Sequence, residues 1–176
     1  MRELASLAHV DGRRFRDGAD WFVVAREAAL VVVRVGTVAE RVVDVWRALA
    51  AHLDPAVDVH IADVRTARVW QGALLALSDV RDAMGRLRGP LSAYGGVELS
   101  LFTDTDQLTI TPELLLVIHA RTDRWAFLLD GMGLTERPAM PAPTWVPSRE
   151  ALRPEPQLEL VLQDTAERLR LAEITS

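Results

Sequence analysis

Cysteine, lysine and asparagine are missing from this chain of 176 residues. Without cysteine there is no disulfide, no thiolate nucleophile, no Cys-ligated zinc and no protein-held iron–sulfur cluster. Without lysine there is no Schiff base, and no phosphate-binding loop ending in its usual Lys. Without asparagine there is no N-linked glycosylation acceptor. All 20 basic residues are arginine, in every segment of the chain, a pattern that fits GC-rich coding.

What is present is acidic and apolar. The 25 acids outnumber the 20 bases, for a net charge of −5. Nucleic acid is not expected as a partner, because phosphate neutralisation needs a concentrated basic face. The two arginine groups, Arg13, Arg14 and Arg16, then Arg81, Arg86 and Arg88, are interleaved with acids or apolar residues and read as solvated faces. Hydrophobic residues make up 49 %, enough for a sizeable core in one domain. The most apolar stretch, residues 21–35, is interrupted by Arg26, Glu27 and Arg34. No membrane segment is expected from it. Residues 1–16 lack a signal-peptide apolar run, and the expected setting is a bacterial cytoplasm.

The hydrophobic periods suggest an order of elements. Trp21-Phe22-Val23-Val24 and Leu30-Val31-Val32-Val33 read as two antiparallel strands with a polar break at Arg26-Glu27. Thr37 and Glu40 have capping-box spacing. Val38, Val42, Val45, Trp46, Leu49 and Leu53 follow as one helical stripe, so residues 38–53 form an amphipathic helix. Val57, Val59 and Ile61 alternate as a strand. Ala73, Leu77, Val80, Met84 and Leu87 predict a second helix over residues 69–87, broken by Gly89-Pro90. Val97, Leu99 and Leu101 predict a strand, and Leu108 and Ile110 another after the Asp104-Thr105-Asp106 turn. The apolar run of residues 114–118 suggests a central strand. Trp125, Phe127 and Leu129 complete an expected meander. Six of the nine prolines then fall within residues 138–156, which predicts an extended arm carrying Trp145. Leu158, Leu160 and Leu162 alternate as in a strand. Leu158, Val161, Leu162, Thr165 and Leu169 also make a helical stripe, and helix is the favoured reading.

Candidate chemistry starts from histidine. His9, His52, His60 and His119 include no pair at i,i+3 or i,i+4, so no metal site is expected. His52 lies near a helix C-terminus, where a cation suits the dipole. Asp58 and His60 share one face of a strand, with Asp63 and Arg65 at its end. A carboxylate beside an imidazole is the arrangement a general base requires, although Asp-x-His alone is weakly specific. His119, Arg121 and Arg124 surround an acidic turn and suit an anion. Asp130-Gly131-Met132-Gly133 lacks the third glycine of a dinucleotide fingerprint. Trp145 in the Pro-rich arm is a candidate interface anchor.

The expected fold class is α+β: a mixed, mainly antiparallel sheet packed by two amphipathic helices. Residues 1–137 form the globular domain, 138–156 a Pro-rich linker, and 157–176 a helix or strand that docks on the domain or on a partner. The expected function is a non-enzymatic protein-protein interaction module, an adaptor, chaperone-like or regulatory subunit, homodimeric and without cofactor. Its binding residues are Trp145, Arg121 and Arg124. One alternative is a small hydrolase or isomerase using His60 with Asp58, Asp63 and Arg65. Another is a small-molecule sensor.

Overall fold

The computed structural model describes residues 20–141 and 152–174. Trp145 and part of the Pro-rich arm lie outside these residues. Trp21–Glu27 (β1) and Leu30–Gly36 (β2) form the expected hairpin, paired from Trp21↔Gly36 to Glu27↔Leu30. The turn is Ala28-Ala29, so the expected break at Arg26-Glu27 moves two residues along. Ala28 takes φ 54°, the left-handed conformation that tight hairpin turns favour.

Ala39–Ala50 is helix α1, with Val42, Val45, Trp46 and Leu49 buried as the stripe predicts. The capping box does not form. No side chain caps the helix N-terminus. The Thr37 hydroxyl instead donates to Asp20 Oδ1 at 2.6 Å, and Arg41 pairs with the same carboxylate. A carboxylate just before β1 thus outcompetes the local cap.

Ala56–Asp63 (β3) and Arg68–Ala76 (β4) form a second hairpin. The helix expected over residues 69–87 is therefore helical only from residue 77. Its first half pairs with β3, because Val69 and Trp70 suit a pleated surface and β3 offers an edge. Helix α2 is Leu77–Gly85, and α3 is Arg88–Tyr94. Gly89-Pro90 does not break a helix but sits in the first turn of α3. Proline is tolerated there because first-turn amides have no intrahelical partner. Gly95 and Gly96 close the helix with φ 54° and 73°.

Val97–Phe102 (β5), Asp106–Ile110 (β6) and Leu116–Ala120 (β7) follow as an antiparallel meander. The expected strand through Trp125, Phe127 and Leu129 is instead helix α4, Arg124–Gly131. Trp125 and Leu129, four apart, are fully buried, while Phe127 is 73 % exposed. One turn of helix separates what a strand would have aligned. Thr135–Glu136 (β8), helix α5 (Pro156–Leu169) and Ala172–Ile174 (β9) complete the described chain. The favoured helix over the C-terminal stripe is present, with Leu158, Leu162, Thr165 and Leu169 buried.

The protein is α+β: five helices and a nine-stranded sheet among the described residues, in the order β8-β1-β2-β7-β6-β5-β3-β4-β9. Only β1 and β8 pair in parallel among these strands. Apolar residues from all five helices join one cluster with Phe22, Val33, Ile118, Leu108, Leu101 and Val59. Register places Val33, Ile118, Leu108, Leu101 and Val59 in a row on one face of the sheet, with Phe22 two residues from that row on the same face. The opposite face carries the alternate side chains, among them His60, Ser100, Thr109 and His119. No described helix is long and apolar enough to cross a membrane.

Candidate functional site

The structure separates the residues of the histidine-centred reading. His60 lies on the face away from the helices. Its Nδ1 is 3.6 Å from Glu98 Oε1. Ser100, directly opposite His60 across the β3–β5 pair, shares a 2.8 Å hydrogen bond with the Thr109 hydroxyl. Gln107 donates to that hydroxyl at 3.1 Å. The row from β3 to β6 is a satisfied polar network, and it explains why polar residues sit mid-sheet.

Asp58 shares the face of His60, but its carboxylate is engaged elsewhere. β3 and β4 slip register between Val57 and Val59. Asp58 Oδ1 accepts the Leu74 amide at 2.8 Å within that bulge. Leu74 is held at φ 53°, a conformation costing a branched side chain about 1 kcal/mol. Asp58 is thus the brace of a β-bulge.

Asp63 points to the other side of β3 and is buried. It accepts the Thr66 hydroxyl at 2.8 Å and the Arg65 amide at 3.1 Å. The Arg65 side chain is 4 % exposed. It donates to the carbonyls of Tyr94 and Gly95, each at 2.6 Å, and of Arg153 at 3.0 Å. Burial lowers its pKa from the usual arginine value, and Asp63 opposes that shift. The arginine of the hydrolase or isomerase alternative therefore clamps the protein's own backbone. It joins the β3–β4 turn, the end of α3 and the segment leading into α5.

Of the predicted binding residues, Arg121 is exposed, while Arg124 is engaged internally. Arg124 reaches Asp106 at 2.8 Å and lies over the Trp125 ring at 4.8 Å. The buried Asp106 carboxylate also accepts Trp125 Nε1 and the Thr105 hydroxyl, each at 2.8 Å. This cluster pins α4 to the sheet. Among the described residues no cluster of His, Asp and Glu is arranged to hold a metal.

Sequence reasoning missed the groove between β1 and α4. It measures about 470 Å³ and is lined by Phe22, Val24 and Arg26 from β1, Asp123, Ala126, Phe127 and Asp130 from the α4 region, and Glu136 from β8. Arg26 pairs with Asp123 at 3.5 Å. The groove exists because α4 is a helix, which turns Trp125 inward and Phe127 outward. The Gly-containing stretch dismissed as a dinucleotide loop supplies the signal. Gly133 takes φ 85°. Its amide bonds the Asp130 carbonyl at 2.9 Å, and the Leu134 amide bonds the Leu129 carbonyl at 3.1 Å. That double bond pattern is a Schellman C-cap. Read as a helix stop, it would have pointed to a helix rather than a strand.

No protein-family model, curated protein or solved structure matches the chain.

Proposed function

We propose that this protein is a non-enzymatic interaction module, an adaptor, chaperone-like or regulatory subunit that recruits another polypeptide through the β1–α4 groove. One observation carries the reading. Phe127 is 73 % exposed at the rim of a groove whose floor holds Phe22 and Val24. Burying a phenylalanine is worth about 2–3 kcal/mol, and aromatic side chains in pockets are the usual anchors of interfaces. A fixed helix presenting one to solvent supports a partner that covers it.

The test compares native protein with F127A. Partners co-purified with the native chain are identified by mass spectrometry and their affinities measured with purified components. F127A is expected to leave unfolding stability within about 0.5 kcal/mol, as exposed positions do, and to weaken partner affinity tenfold or more. Unchanged affinity overturns the reading. Light scattering on both proteins tests the proposed homodimer.

The hydrolase or isomerase reading keeps one supporting observation, the His60–Glu98–Ser100 run, which holds the residue types of acyl transfer. Ser100 is fully buried and bonded to Thr109, which weighs against a nucleophile.

A further inference from the structure

We infer that the β1–α4 groove is filled by strand addition: an extended partner segment, alternating cationic and apolar side chains, pairs with the edge of β1 over residues 23–27 that no described strand covers. The inference rests on the interaction reading and names the partner's chemistry. β8 pairs only with Trp21 and Phe22 of β1. The Arg137 amide donates to the Phe22 carbonyl at 2.8 Å and ends that pairing. Among the described residues no strand covers the outer edge of residues 23–27. An edge of this kind presents unpaired amides and carbonyls to an incoming chain.

The side-chain period supports the same geometry. The β1 residues lining the groove are Phe22, Val24 and Arg26, one face of the strand by its period of two. A strand added beside them sends every second side chain into the space under α4. There it meets Val24, Ala126 and the exposed ring of Phe127.

Charge selects the other requirement. The groove holds Asp123, Asp130 and Glu136 against Arg26 alone. Arg26 is taken by Asp123, which leaves Asp130 and Glu136 without an ion pair among the described residues. Two unpaired carboxylates beside an apolar floor complement an arginine or lysine two residues from an apolar side chain.

The probe is a fluorescein-labelled nonapeptide alternating arginine and leucine, measured by anisotropy against the full chain. Three controls accompany it: the same peptide with glutamate for arginine, the peptide N-methylated at alternate amides, and the variant D130N/E136Q. The native pair is expected to bind, and each control to bind at least tenfold more weakly. Raising salt from 50 to 300 mM is expected to weaken the native pair. Equal binding of the glutamate peptide, or of the double variant, overturns the charge assignment. Equal binding of the N-methylated peptide overturns strand addition. If F127A loses the identified partner while D130N/E136Q keeps it, this inference fails and the interaction reading stands. If F127A keeps the partner, the interaction reading itself fails. A native dimer that D130N/E136Q converts to monomer assigns the groove to a second copy and overturns the inference.

Discussion

The two ends of the sheet are built on opposite plans. At the β9 end, Arg68 meets both oxygens of Glu173 at 2.8 Å, lies 3.7 Å from Glu159 and covers the Trp70 ring at 4.7 Å. One guanidinium thus ties β4, α5 and β9 together. At the β8 end the last strand has two residues, and carboxylates line the space beside it. Both ends face the same hazard, an exposed strand edge. The first answers it with ion pairs between residues distant in sequence. The second, among the described residues, leaves residues 23–27 of β1 uncovered beside a groove and an aromatic rim. β9 covers only Val69, Trp70 and Gln71 of β4, so among the described residues neither end is paired along its length, and the two differ in how the short last strand is held.

The largest expected effect comes from cutting the clamp behind the β9 end. R65M leaves Asp63 buried without its cation and frees three carbonyls. Urea unfolding is expected to show a loss of about 3 kcal/mol. On the open side, D106A strands the indole N–H of Trp125 and releases Arg124. A loss of about 2 kcal/mol is expected, with weakened peptide binding because α4 forms one wall of the groove. If R65M and D106A both leave stability intact, neither end is held as described.

Smaller effects sharpen the contrast. Arg170 caps α5 in the left-handed region at φ 54°, the position glycine fills at the end of α4. R170G is expected to raise the unfolding midpoint through about 1 kcal/mol of relieved strain. The Arg68 hydrogen bond lowers the Glu173 pKa from its ordinary 4.5. Folding then favours the ionised form, so this contribution is present above pH 4.5 and fades as pH falls through the folded value. Amide exchange of β9 is expected to quicken on acidification, and R68A is expected to remove that pH dependence. The pair is solvent-exposed, so the effect on global stability is small. Smallest of all is the stability change in F127A, which separates binding from folding at the open end.

Much of the fold is legible along the chain. The Val42, Val45, Trp46 and Leu49 stripe, the alternation of Val57, Val59 and Ile61, and the stripe from Leu158 to Leu169 all place their elements correctly. Each pattern spans enough residues to express its own period. The failures share a cause. Residues 69–76 and 124–131 are short, rich in aromatic and aliphatic residues, and compatible with either period over two turns. Only the neighbour they pack against chooses between them. The candidate site was less legible still. In sequence Asp58, Asp63, Arg65 and Arg124 look like free chemical groups, but their partners are Leu74, Thr66, Gly95 and Trp125, contacts that spacing along the chain does not show.

Composition by itself removed thiol and lysine chemistry, and hydrophobic period by itself supplied a sheet with helices on it. Those properties are local, since a side chain's type and its neighbours a few residues away determine them. Tertiary structure decided how each edge strand of the sheet is held and which polar groups are already engaged. It also turned Phe127 outward beside β1. These depend on contacts between residues far apart in sequence, such as Arg65 with Arg153 and Arg68 with Glu173, and they exist only once the chain has folded.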